Sequence, residues 1–237
     1  MLLSSLSEVL DRADVWRGDA LARASVRAIA SGFCELDAEL PGGGWPAGAL
    51  TEILPAHAGI GELRLLAPVL AGLAARGEQL VWIAPPHLPY APALAAAGIA
   101  PERLVIVRAA SAKDALWAAE QALRSNACGA VLAWPQRIKY VELRRLQIAA
   151  EGGRAAAFLF RCGDAASDSS PAPLRVAVGT ARGGLSLSLL KRRGAPLVSP
   201  IVLPPMPPAA LRKCAHVDRL TLSPPAARDL PAWLAHA

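Results

Sequence analysis

Pro55 to Leu63 reads PAHAGIGEL and stands where a short apolar strand pattern ends and a leucine-rich helical pattern begins. Strand, small-residue loop and helix in that order bring backbone amides to a point where they can cradle phosphate. Amides alone do not neutralise a triphosphate. A loop of the pattern GxxxxGK[ST] adds a lysine for the β- and γ-phosphates and a hydroxyl for Mg²⁺. Here Gly61 stands where the lysine belongs and Glu62 where the hydroxyl belongs, with Gly59 earlier in the turn. A carboxylate at a helix N-terminus suits the helix dipole and repels an incoming anion. The loop reads as degenerate and closed to nucleotide, and no cofactor is expected.

Cations form the second group with chemical potential. Arg137, Lys139, Arg144 and Arg145 lie at the start of, and along, a helical pattern after the fourth core strand. Lys191, Arg192 and Arg193 follow a strand with no acid nearby in sequence. Both sets are candidates for DNA phosphate contacts, each of which adds to the salt dependence of binding; the competing reading is a solvated face. Six tryptophans invite base stacking. Trp82, within a strand, and Trp117, in an amphipathic helix, read as core. Trp45, beside three glycines, and Trp134, at a strand end, are the better surface candidates; Trp16 and Trp233 lie near the two ends.

Cys34, Cys128, Cys162 and Cys214 show no CxxC or CxxH spacing, so they indicate neither zinc nor a disulfide framework and read as buried small hydrophobes. His57, His87, His216 and His236 are scattered and carry no metal assignment. Ser186, Ser188, His87 and Asp218 form no nucleophile arrangement, and GxSxG and paired-carboxylate motifs are absent from the sequence. An active enzyme is the weakest of the readings.

Positioning these residues falls to an alternation of apolar runs and helical patterns. Strands are predicted at residues 49–54, 79–84, 103–108, 129–134 and 155–161, and helices at 62–76, 90–97, 112–124 and 141–150. Such alternation implies a mostly parallel sheet covered on both faces by crossover helices. Residues 163–173 read as a mobile polar loop. After it, 174–179 and the alternating 185–190 suggest a hairpin about Arg182-Gly183-Gly184. Residues 196–208 hold six prolines, too many for a helix or a central strand, and open a tethered tail. The first 29 residues suit one or two amphipathic helices that dock on the chain's own sheet or on a partner.

The chain has 237 residues, 54% of them hydrophobic, enough for a full α/β core. Its apolar stretches are broken by Pro, Gly or charge before the about 20 residues that a membrane helix needs. The start, with Glu8, Asp11, Arg12 and Asp14, is unlike a secretory signal, so the expected location is cytoplasmic. Net charge is +6, with an acidic surplus over residues 1–50 and a basic surplus beyond them. That polarity permits nucleic-acid contact at one end and partner docking at the other.

The stretch SGFCELDAELPGGGWPAGALTEIL is similar to the start of the RecA ATPase core. With GIGELRLL, LVWIAPPHLPYAPALAAAGI, LAWPQRIKYVELRRLQIAAE and LLKRRGAP it resembles the ImuA family, RecA-like accessory proteins of bacterial translesion DNA synthesis, over about residues 30 to 200. The resemblance implies an α/β, RecA-like, mostly parallel sheet flanked by helices, with a degenerate P-loop, a C-terminal β-hairpin and a Pro-rich tail. The division implied is a helical extension at 1–30, a core at 31–195 and a tail at 196–237. By role, the water-activating glutamate of active RecA proteins falls in Ala84-Pro85-Pro86 and the Mg²⁺-assisting acid at Trp134-Pro135, where no carboxylate is present. With the lysine and hydroxyl also missing, phosphoryl-transfer electrostatics cannot be assembled, and a pseudo-ATPase is expected. The implied partners are ImuB, an error-prone DNA polymerase, RecA and DNA, with self-association open and the protein nucleoid-associated when DNA is damaged. The alternative is a SulA-like SOS inhibitor of cell division, which would bind the tubulin-like division GTPase.

Overall fold

The computed structural model describes residues 27–204. The expected N-terminal helices, the Pro-rich tail beyond 204, Trp16, Trp233, Cys214, His216, His236 and Asp218 lie outside the described residues. A two-residue strand β1 (Ala28–Ile29) pairs antiparallel with β2 (Trp45–Pro46), and the short helix α1 (Cys34–Glu39) lies between them. The core follows: β3 (Ala49–Pro55), α2 (Glu62–Ala75), β4 (Gln79–Ile83), α3 (Ala91–Ala96), β5 (Leu104–Val107), α4 (Ala112–Arg124), β6 (Cys128–Ala133), α5 (Tyr140–Glu151) and β7 (Ala156–Phe160). Then come β8 (Leu174–Ala181), β9 (Gly184–Lys191) and β10 (Ile201–Leu203).

Eight of these strands form one sheet in the order β10-β9-β8-β3-β7-β6-β4-β5. From β8 to β5 every neighbouring pair is parallel, and the β8–β9 and β9–β10 pairs are antiparallel. The expectation of a RecA-like, mostly parallel P-loop fold is therefore corrected to a mixed sheet with helices. The antiparallel end starts at the hairpin expected about Arg182-Gly183-Gly184, where Gly183 has φ +82° and sends the chain straight back instead of through a crossover helix, and β10 extends it. The proline-rich stretch also departs from expectation, because Ile201–Leu203 pairs with β9 as an edge strand, a place where flanking prolines leave no ladder bond unmade.

The sheet separates two apolar layers. On one face, Leu65, Leu66, Val69, Leu70 and Leu73 of α2 pack with Leu36 of α1, Ile53, Trp82 and Phe158. On the other, Ala115, Ala119 and Leu123 of α4 and Leu143 and Leu146 of α5 cover Leu50, Val131 and Leu159. β3 runs through the middle, and its Leu50 N–H donates to Gln147 Oε1 of α5 at 2.9 Å. Gly32 fixes the approach of α1 to α2. Its φ is +89°, and a Cβ there would sit 2.3 Å from Pro68 Cβ.

Trp45 is fully buried, edge-on to Phe158 with ring centroids 5.4 Å apart, which corrects its reading as a surface residue. Trp117 is 62% exposed and not core, because the buried stripe of α4 is Ala115, Ala119 and Leu123. Of the cysteines, Cys128 is buried, its thiol pushed up to about 11 chiefly by burial. Cys162 is exposed, and Cys34 is disulfide-bonded, contrary to the reading of unbridged, buried cysteines.

Candidate functional site

The turn after β3 closes on itself. Gly59 and Gly61 both take positive φ, and Gly61, at φ +104°, caps α2. Their N–H groups point inward as phosphate-binding amides do, yet the acceptor is the chain's own Glu62. Gly59 N–H donates to Oε1 at 3.2 Å and Gly61 N–H to Oε2 at 3.1 Å. The carboxylate folds back over the helix N-terminus and supplies the negative charge that the dipole favours.

Next to β3 lies a second feature that sequence reading missed. Glu52 is fully buried in the middle of β3 and is held by Arg175 Nε at 2.6 Å, Arg161 Nη1 at 3.2 Å and the Ser170 hydroxyl at 2.9 Å. Arg175 spends its other donors on the carbonyls of Ala165, Ala166 and Asp168, and Arg161 reaches the Asp168 carboxylate at 2.7 Å. The polar segment 163–173, expected to be a mobile loop, is thus tied down by arginines from β8 and from the end of β7, and it includes a 3₁₀ turn at Gly163–Ser167. A lone acid inside an apolar strand, with arginines bordering two later strands, was the available signal.

At the carboxyl ends of β4, β5 and β6 lies an open crevice of about 530 Å³, bordered by Pro85, His87, Leu88, Arg108, Ser111 and Trp134. The chain leaves β4 toward the outer strand β5 and leaves β6 toward β7. The crevice therefore sits at a topological switch point, the place where open α/β sheets bind ligands. Ala84, the residue after β4, has φ +49°, a strained value for a residue with a side chain. Trp134 stacks on Phe160 at 4.6 Å and tilts against Trp82 at 5.6 Å, so it is a half-buried wall and not a free stacking platform. Among the described residues, no cluster of three or more His, Cys, Asp or Glu could hold a metal ion.

The cations do not converge. Arg192 donates to the Glu39 carboxylate at 2.8 Å and to the Ala195 carbonyl, and Lys191 Nζ to the Ser170 carbonyl at 2.8 Å. This corrects the reading of 191–193 as a cluster without an acidic partner; of the three, Arg192 makes an ion pair among the described residues and Lys191 and Arg193 do not. On α5, Arg145 is bonded to Glu120 of α4, which also holds Arg124 at 2.8 Å. Arg137, Lys139 and Arg144 make no ion pair among the described residues. Arg137 borders a smaller crevice of about 270 Å³ shared with Arg161, Asp164 and Asp168, a mixed and not a cationic lining.

With this geometry in place, comparison with known proteins discriminates between the families. Residues 48–157 match the family described as cell division inhibitor SulA. The match is to SulA. It runs from the residue before β3 into β7, through the loop closed by Glu62 and the switch-point crevice, and it omits β8 to β10. A cell division inhibitor SulA of Edwardsiella piscicida is 35% identical over 97 residues, covering 41% of this chain, and this chain spans 58% of that relative's length. The crystal structure of SulA from Pseudomonas aeruginosa matches at 30% identity and a TM-score of 0.41, over 50% of this chain and all of that one. The family match and the Edwardsiella relative correct the resemblance to the ImuA family. The translesion-synthesis role, the partners ImuB, error-prone polymerase, RecA and DNA, and the DNA-contact role of the cations were drawn from that resemblance or supported it, and they are withdrawn with it. No helix among the described residues is long and apolar enough to cross a membrane.

Proposed function

We propose that the chain is a SulA-like, non-catalytic inhibitor of cell division, made in the SOS response and acting in the cytoplasm by binding the tubulin-like division GTPase. The observation that carries this reading is the SulA match over residues 48–157, which covers most of the parallel part of the sheet. The loop geometry supports its non-catalytic part. Glu62 occupies amides that a nucleotide phosphate would need, Gly61 supplies no cation, and the crevice at the switch point shows no carboxylate on its walls. A protein with this arrangement acts by what it covers and not by turning over a nucleotide.

The test is expression of the chain in growing bacteria, together with assay of the purified division GTPase. Filamentation without DNA damage, and dose-dependent loss of polymerisation and GTP turnover, are the expected results. Normal division at high expression, with the GTPase unaffected by a molar excess of the chain, overturns the proposal.

A further inference from the structure

Helices α4 and α5 lie side by side on one face of the sheet, joined by the Arg145–Glu120 pair. At 3.6 residues per turn, the exposed residues of α5, from Tyr140 through Val141, Arg144, Arg145 and Ile148 to Glu151, fall within an arc of about 140°. A solvated face of that kind is ordinarily polar. Here Val141 is 68% exposed and Ile148 54%, two turns apart on one stripe. Because Arg145 meets Glu120, the turn before it brings Val141 level with Trp117 of α4, and the turn after it brings Ile148 level with Arg124. The outward surface of the two helices thus carries exposed Trp117, Val141 and Ile148 interleaved with arginines. Aromatic and arginine side chains of this kind dominate the energetics of protein interfaces.

Charge decides what fits. Arg144 has no ion partner among the described residues, nor have Lys139 and Arg137 at the start of the helix, while Arg124 and Arg145 share the single carboxylate of Glu120. The carboxylate of Glu142 is engaged at the helix N-terminus, where it accepts from Lys139 N–H at 2.7 Å. We propose that the outward face of α4 and α5, centred on Trp117, Val141, Arg144 and Ile148, is the surface that docks the protein partner, through a segment of that partner carrying acidic side chains around apolar anchors. This rests on the reading of the chain as a division inhibitor, with the division GTPase as the partner. Apolar anchors hold the complex and the arginines steer it, so the two contributions separate in rate measurements.

The experiment measures binding of the purified full chain to the purified division GTPase, across a range of salt concentrations. Wild type binds. Val141→Glu/Ile148→Glu and its uncharged counterpart Val141→Ser/Ile148→Ser both weaken binding at least about tenfold, mainly in the off-rate. Arg144→Glu slows association and flattens its salt dependence. Arg193→Glu, at the end of β9, leaves binding unchanged, and all variants melt with wild type. If wild type binds and the α5 variants bind equally well, the surface is wrong and the function stands. If wild type itself does not bind, the functional reading and this surface fall together. A concentration-dependent dimer of the chain alone, abolished by Val141→Glu, shows that a second copy covers the face and overturns the assignment.

Discussion

Glu52 and Arg175 are direct register partners on neighbouring parallel strands, and their side chains meet at 2.6 Å inside the protein. The pairing is dictated by topology: β3 and β8 are 123 positions apart, and only their adjacency in the sheet gives either charge a partner. Because Arg175 also bonds three carbonyls of the segment before β8, the pair fastens that segment over the carboxyl end of β7.

Removing one member leaves the other charged and buried with fewer partners, Glu52 with Arg161 and Ser170 or Arg175 with backbone carbonyls alone, which approaches the costly case for an internal ion pair. Arg175→Met or Glu52→Leu should each lower unfolding free energy by about 3–5 kcal/mol in urea titration. The double substitution should cost less than the sum of the two. Limited proteolysis should cut within residues 163–173 in either single variant before it cuts wild type.

How much of this was legible in the sequence differs by the range of the cause. The helices and strands from Ala49 to Phe160 follow from local periodicity, and their observed bounds lie within one or two residues of the predicted ones. What depended on distant partners was not legible. Trp45 looked solvent-facing beside three glycines, but β1 pairs with it and Phe158 seats its ring. Arg192 looked unpaired because its acid, Glu39, is 153 residues away. Trp117 failed for a different reason. Its helix is amphipathic, but small alanines form most of the inward stripe and the largest side chain points out. For the loop at Gly59 to Glu62, the missing lysine and hydroxyl could be read directly. That the carboxylate turns back to satisfy the amides depends on the fold of the loop, which the residue types alone do not set.

That turn gives a second prediction. Glu62→Ala should lower stability by about 1 kcal/mol or less, because the freed amides of Gly59 and Gly61 are not fully buried and water replaces part of the loss. Millimolar ATP with Mg²⁺ should leave the melting temperature of wild type unchanged, since a ligand that binds the native state raises it by mass action. A rise of several degrees in wild type would show that the loop still accepts nucleotide.

A pair of glycine substitutions separates strain from space. Gly32→Ala places a methyl group against the Pro68 ring at a left-handed backbone position, and it should cost about 2 kcal/mol or more. Gly152→Ala meets nothing within 4 Å at φ −75°, and it should be neutral or slightly stabilising. Equal effects at the two sites in thermal melts would contradict the described contact between the segment before α1 and helix α2.

Asp37 yields the pH dependence. Burial holds its carboxyl above the ordinary 3.8, and the hydrogen bonds from Ser31 offset this only in part. Oδ1 accepts from Ser31 N–H at 2.8 Å, while Oδ2 is buried without a partner. An acid whose folded pKa is raised binds its proton more tightly in the native state, so its contribution is greatest below the unfolded value and declines as pH rises from 3.8 through the folded value. Asp37→Asn keeps an acceptor for Ser31 and removes the titration. Stability of the variant relative to wild type should therefore improve as pH is raised across that window and then level off. Asp37→Ala, by contrast, strands the buried Ser31 N–H and should cost about 1–3 kcal/mol at neutral pH. Urea titrations of the three proteins from pH 3 to pH 8 check the sign; an Asp37→Asn difference that stays flat across the window would mean the carboxylate is already as well solvated folded as unfolded.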